Sequence, residues 1–145
     1  MFTDAYLEIE PAFTALTSSR AATNDIYFGA GDRGVGTPLF LLVRIGTTMT
    51  TGSTSTLTIN ILTDDNSSFS SPRTLLSSRS YGTAELISGT EIVLRLPRGL
   101  EEYMRVSFTV GTSNFTGGTI GAWVTEQEPK VTTKYPFAIN DAYIA

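Results

Sequence analysis

From residue 103 to residue 110 every second side chain is apolar: Met104, Val106, Phe108 and Val110 alternate with Tyr103, Arg105, Ser107 and Thr109. Side chains of an extended chain point alternately to opposite faces, so this spacing makes one apolar face and one polar face. A helix would scatter the same residues around its circumference. The stretch reads as a half-buried strand, and such a strand needs a second apolar layer to cover it. Whatever this chain folds into is built from packed sheets.

Seven further segments carry a strand signal. The first is short, residues 25–28. The second, residues 39–45, is nearly continuous in apolar residues and is expected to lie centrally, buried on both faces or covered by an arm. In the third, Leu57, Ile59 and Ile61 alternate with Thr58 and Asn60. The others are residues 73–79, 84–88, 91–96 and 119–125, where Ile120, Ala122 and Val124 oppose Trp123. Turn-forming residues separate them: 64–68, Ser88-Gly89, Pro97-Arg98-Gly99, and Asn114 with Gly117-Gly118. Residues 47–56 are mostly Thr and Ser, with little to bury, and are expected to form a long exposed loop. No segment has helical periodicity; residues 11–16 could make one turn at most. Eight short antiparallel strands without helices predict an all-β sandwich of jelly-roll type. The predicted division is an N-terminal arm over 1–22, the sandwich over 23–126 and a C-terminal arm over 127–145.

At 145 residues the chain fits a single domain. It has no Cys and no His, which removes disulfides, thiolate metal sites, cysteine nucleophiles, and the commonest general base and metal ligand. The expectation is a protein that is not an enzyme and needs no cofactor or metal. A net charge of −4 without a basic cluster argues against nucleic acid. No apolar run is long enough to span a membrane, and the opening Met1-Phe2-Thr3-Asp4 lacks the regions of a signal peptide, so synthesis inside a cell is expected. Lysine occurs only at Lys130 and Lys134, so the body of the chain uses arginine, a residue enriched in interfaces; codon bias would have the same result.

Gly29, Gly31 and Gly34 have the spacing of a dinucleotide-binding loop, but such a loop opens a helix and precedes an acidic residue by about 20 positions. Here Val35-Gly36-Thr37-Pro38 and an apolar β run follow, so the segment reads as a glycine-hinged entry into a sheet. Asp64-Asp65 lacks the spacing of a calcium loop and reads as a solvated turn. Glu101 and Glu102 are adjacent, so on a strand they would point to opposite faces and could not flank one bond. Trp123 with Tyr103 could form a sugar-stacking platform, or could simply fill a sheet face. The aromatic C-terminal residues Tyr135, Phe137 and Tyr143 would aggregate if left in solvent; they either dock on this domain or another subunit, or cap the domain's own core.

The order of several segments resembles one known family. Met1-Phe2-Thr3-Asp4, Thr23-Asn24-Asp25-Ile26, the glycine-rich stretch with Asp32, the 56–62 strand, the acidic Ser-rich loop before Phe69, Leu96-Pro97-Arg98-Gly99, Tyr103-Met104-Arg105-Val106, Gly117-Gly118 and Ala122 together resemble the jelly-roll capsid cement proteins of tailed bacteriophages. The resemblance covers about residues 1–125 and leaves the tail from Glu128 outside it. It implies a non-enzymatic virion protein, made in the host cytoplasm. Such a protein sits on the outer capsid surface as a homo-oligomer, a dimer or trimer, and bridges subunits of the major capsid protein. The docking surfaces it implies are the loop with Gly31, Asp32, Arg33 and Gly34, and the arm with Tyr135, Phe137 and Tyr143. The alternative is a jelly-roll module that binds carbohydrate for host attachment, with Trp123 as its stacking surface.

Overall fold

The computed structural model describes residues 7–29 and 38–126. Ten strands run in chain order: β1 (Glu8–Ala15), β2 (Arg20–Ala21), β3 (Ile26–Tyr27), β4 (Phe40–Thr50), β5 (Thr56–Asp64), β6 (Arg73–Ser77), β7 (Tyr81–Gly82), β8 (Glu91–Arg95), β9 (Tyr103–Gly111) and β10 (Gly117–Thr125). No α-helix occurs among the described residues. The first sheet has the order β1-β10-β4-β8. In the second, β9 and β5 are central; β2 and β3 share the free edge of β9, and β6 and β7 share that of β5. Ten strands thus occupy eight positions, and all pairings are antiparallel. With β2/β3 and β6/β7 each taken as one position, the chain changes sheet at six of seven connections, which is the jelly-roll winding expected from the strand count.

The core lies between the sheets. β9 contributes Met104, Val106 and Phe108, β5 contributes Leu57, Ile59 and Ile61, and the first sheet answers with Leu41, Val43, Ile45, Ile120, Ala122 and Val124. The apolar members of the period-two pattern are the residues that enter it, as alternation requires. β4 is central, and Leu41, Leu42 and Val43 are all fully buried, so its continuous apolar run does mark burial on both faces.

Three expectations are corrected. Residues 8–15 are not part of an arm preceding the first strand: they form β1, and Ile9, Leu16 and Ala22 are core residues. Two register shifts against β10 break the alternation that would have revealed the strand, and Pro11 is tolerated because β1 is an edge. Residues 47–56 are not a long loop. β4 continues to Thr50, with Thr47 and Thr50 paired to β10 and Met49 buried, because threonine suits a strand as well as a turn. Residues 84–88 are not a strand; they turn, with the Leu86 amide donating to the Thr83 carbonyl and the Leu86 side chain plugging the core.

Candidate functional site

The strand ends sort into two poles. At one pole lie Leu7 before β1, Gly29 after β3, Pro38 before β4 and Glu126 after β10. Their grouping follows from register: Glu8 pairs with Trp123, Phe40 pairs with both Thr125 and Arg95, and Tyr27 pairs with Tyr103. Polar contacts tie this pole together. The Phe28 amide donates to the Glu102 carbonyl at 2.7 Å, and the Leu96 amide to that of Leu39 at 2.8 Å. Buried Thr63 accepts from the Glu101 amide at 2.7 Å and donates to the Tyr103 carbonyl at 2.9 Å. Arg73 donates to the Gly99 carbonyl and pairs with Glu101.

The predicted docking residues Gly31, Asp32, Arg33, Gly34, Tyr135, Phe137 and Tyr143 lie outside the described residues. The residues that flank both segments, Gly29 and Pro38 for the loop and Glu126 for the tail, are brought to this one pole. Gly29 has φ +95°, a left-handed conformation that suits glycine, in agreement with its reading as a hinge.

The other singled-out residues fall apart as sites. Trp123 points outward from the first sheet and Tyr103 outward from the second, so they cannot form one platform. Tyr103 instead stacks on Tyr27 at 4.8 Å between ring centres, and Tyr27 is 57% exposed. Trp123 meets Phe13 edge-on at 6.2 Å. Phe13 lies across two glycines: a Cβ on Gly46 would come within 2.5 Å of its ring and one on Gly121 within 3.2 Å. Asp64 is not solvated. It is buried and accepts from the Ser71 amide at 2.9 Å, a bond that is the main reason its carboxyl is held below the ordinary range. It closes the 64–71 turn, in which Asn66 caps Ser68. Above that turn the Arg105 guanidinium sits 4.1 Å over the Phe69 ring and donates twice to Asp25.

Among the described residues the most heavily bonded carboxylate is Glu10, which the sequence pattern does not single out. Fully buried, it accepts from Arg20 through both oxygens at 2.8 and 3.1 Å, from the Thr23 amide at 2.8 Å and from the Thr23 hydroxyl. Burial is the largest influence on its carboxyl and pushes it up; the Arg20 and Thr23 hydrogen bonds, with the Arg20 charge, together outweigh it and hold the group below its ordinary 4.5. Every acceptor position faces a donor from the same chain, which is the signature of a clasp between β1 and the 20–23 segment. Nothing in a lone Glu beside a proline foretells such a cluster.

The family model described as Bbp16 matches residues 12–124. No curated protein matches the chain.

Proposed function

From the premise that this chain belongs to the Bbp16 family, we propose that it is a structural virion protein, a capsid cement protein of a tailed phage. In this reading it binds the outer surface of the head as a homo-oligomer and bridges subunits of the major capsid protein. The observation that carries the reading is the grouping of Leu7, Gly29, Pro38 and Glu126 at one pole of a helix-free sandwich. Three segments leaving one end of a rigid body form a single multi-point contact, while the opposite pole faces away from the shell. The resemblance of residues 1–125 to cement proteins supports the same reading, and the family match spans most of that stretch.

The physics asks for little chemistry. A standard interface of about 1,600 Å², repeated over a shell, holds through multivalency without a reactive group. The acidic balance, −4, keeps the free protein soluble before it assembles. Arg33 and Asp32 are the polar contacts of the loop and Gly31 and Gly34 its hinges, with Tyr135, Phe137 and Tyr143 as apolar contacts of the tail.

The test is binding to purified expanded heads that lack the protein. Saturation at a constant number of copies per major capsid subunit is expected, and Arg33→Ala should weaken attachment roughly tenfold, about 1.4 kcal/mol, with unchanged thermal stability. Absence of saturable binding by the parent chain would sink the proposal; equal attachment by the variant would remove Arg33 from the contact. Glycan binding that disappears in Trp123→Ala would instead favour host attachment, a reading that the edge-on cover of Trp123 by Phe13 does not favour.

A further inference from the structure

We propose that β8 is a self-association edge: two copies of the chain pair through it, antiparallel, about a twofold axis at Val93. The starting point is one open strand edge among guarded ones. β1 carries Pro11 and two register shifts, β6 carries one shift, and β2, β3 and β7 are two residues each, all devices that stop a sheet edge from pairing further. β8 instead runs for five residues in unbroken register with β4, and among the described residues no strand lies on its other side.

The ladder fixes which of its groups are free. The Ile45 amide donates to the Thr90 carbonyl at 2.9 Å, and the Leu96 amide to that of Leu39 at 2.8 Å. Backbone groups alternate in direction along a strand, so Ile92 and Leu94 also bond toward β4, and the amides and carbonyls of Glu91, Val93 and Arg95 point away from it. Two such edges opposed at Val93 set Val93 against the partner's Val93, and Glu91 against the partner's Arg95. Each of these pairs is of the kind that exchanges two hydrogen bonds.

The side chains select the same arrangement. Glu-Ile-Val-Leu-Arg has its acid at one end and its base at the other, so a reversed copy meets it with opposite charge at both ends. Glu91 holds Arg44 through Oε1, whereas Arg95 is exposed and has no ion pair among the described residues. In the pair, Arg95 gains the partner's Glu91 on the outward face, and Ile92 meets the partner's Leu94 on the inward one. A slip of two residues sets each charge against an uncharged residue, and a slip of four sets like against like. Gly89 falls opposite the partner's Pro97, and a Cβ there would meet nothing within 4 Å. Arg95 lies at the pole of Phe40, so antiparallel pairing carries the two docking poles to opposite ends of the pair. Under the proposed function each pole then meets a different capsid subunit, which is what bridging requires.

The edge gives the homo-oligomer of that reading its interface but does not depend on capsid binding, so it is tested on the isolated full-length chain. A five-residue edge buries less than the about 1,200 Å² of a standard interface, so sedimentation equilibrium should show a reversible dimer, twice 15.6 kDa, with a micromolar Kd. Val93→Pro deletes an amide that β4 does not use and should raise Kd roughly tenfold or more with little change in Tm. Arg95→Glu should weaken the dimer similarly, as should Arg44→Glu/Glu91→Arg, which reverses the internal ion pair. A mixture of these last two variants should dimerise like the parent, because every acid again faces a base. Hydrogen exchange on the parent needs no substitution: the Glu91, Val93 and Arg95 amides should become protected as concentration passes through Kd, while those of Ile92 and Leu94 stay unchanged. A chain still monomeric at about 1 mM would overturn the proposal. So would a trimer, or a dimer in which the Val93 amide exchanges as fast as in the monomer.

Discussion

Glu10 carries its charge at a position with no exposed surface, and the donors around it decide what that costs. The register shift between Glu8 and Glu10 sets Glu10 against Ala122, a core residue, so the carboxylate lies on the inward side of β1. From there it reaches Arg20 and Thr23, joining an edge strand of the first sheet to the edge of the second. Removing one partner of such a cluster leaves the others without theirs, and that asymmetry makes the change costly. Glu10→Gln should lower stability by about 2 kcal/mol at neutral pH, read as a lower urea midpoint at unchanged slope. The folded carboxyl sits below its unfolded value of 4.5, so its contribution is complete above that value and is lost as pH falls through the folded one. The difference between parent and variant should therefore shrink when the urea series is repeated under progressively acidic conditions below pH 4.5; a difference that stays constant would mean that charge has no part in the clasp.

At the scale of elements, β10 is tuned along its length by glycine. Gly118 has φ +124°, and a Cβ there would lie 2.3 Å from the Met49 sulfur and 2.9 Å from its Cα, which is backbone and cannot swing aside. Gly99 also has a positive φ, +87°, but open space around it. Gly118→Ala should cost about 3 kcal/mol or more in thermal unfolding, and Gly99→Ala about 1 kcal/mol. Equal costs would show that conformation, not crowding, governs both. The elements differ in how far the sequence betrays them. β5, β9 and β10 were legible because strict alternation maps directly onto inward and outward faces. β1 was illegible because its bulges shift the period, and the end of β4 because threonine is common both in turns and in strands. Turns at 84–88 resembled a strand because Leu86 points into the core without belonging to a ladder. Of the site, the hinge at Gly29 could be read from glycine spacing. The Glu10 clasp could not, since its partners meet only through tertiary register.

Across the whole molecule, stability should be graded from the middle of each sheet outward. β4 and β10 in one sheet, and β5 and β9 in the other, have paired neighbours on both sides, whereas β8, β6 and β2 are edges. Bonded amides of the four central strands should exchange hydrogen roughly a hundredfold more slowly than those of β6, most of whose side chains are exposed or half-buried. Uniform exchange across all strands would indicate that the sandwich opens only as one unit.

The pairing of Glu8 with Trp123 has a consequence for how the protein is made. Of the described strands β1 leaves the ribosome first and β10 last, and β10 is the ladder partner of β1 among them. Until residue 125 has cleared the exit tunnel the first sheet lacks a central strand, and β1 has no edge to join. The sandwich is therefore completed only after its last strand emerges, through contacts of the longest sequence separation the fold contains, which places it among slow-folding topologies. A chain interrupted before β10 would leave β1 without its ladder partner and one edge of the apolar strand β4 open, a surface that invites edge-to-edge association.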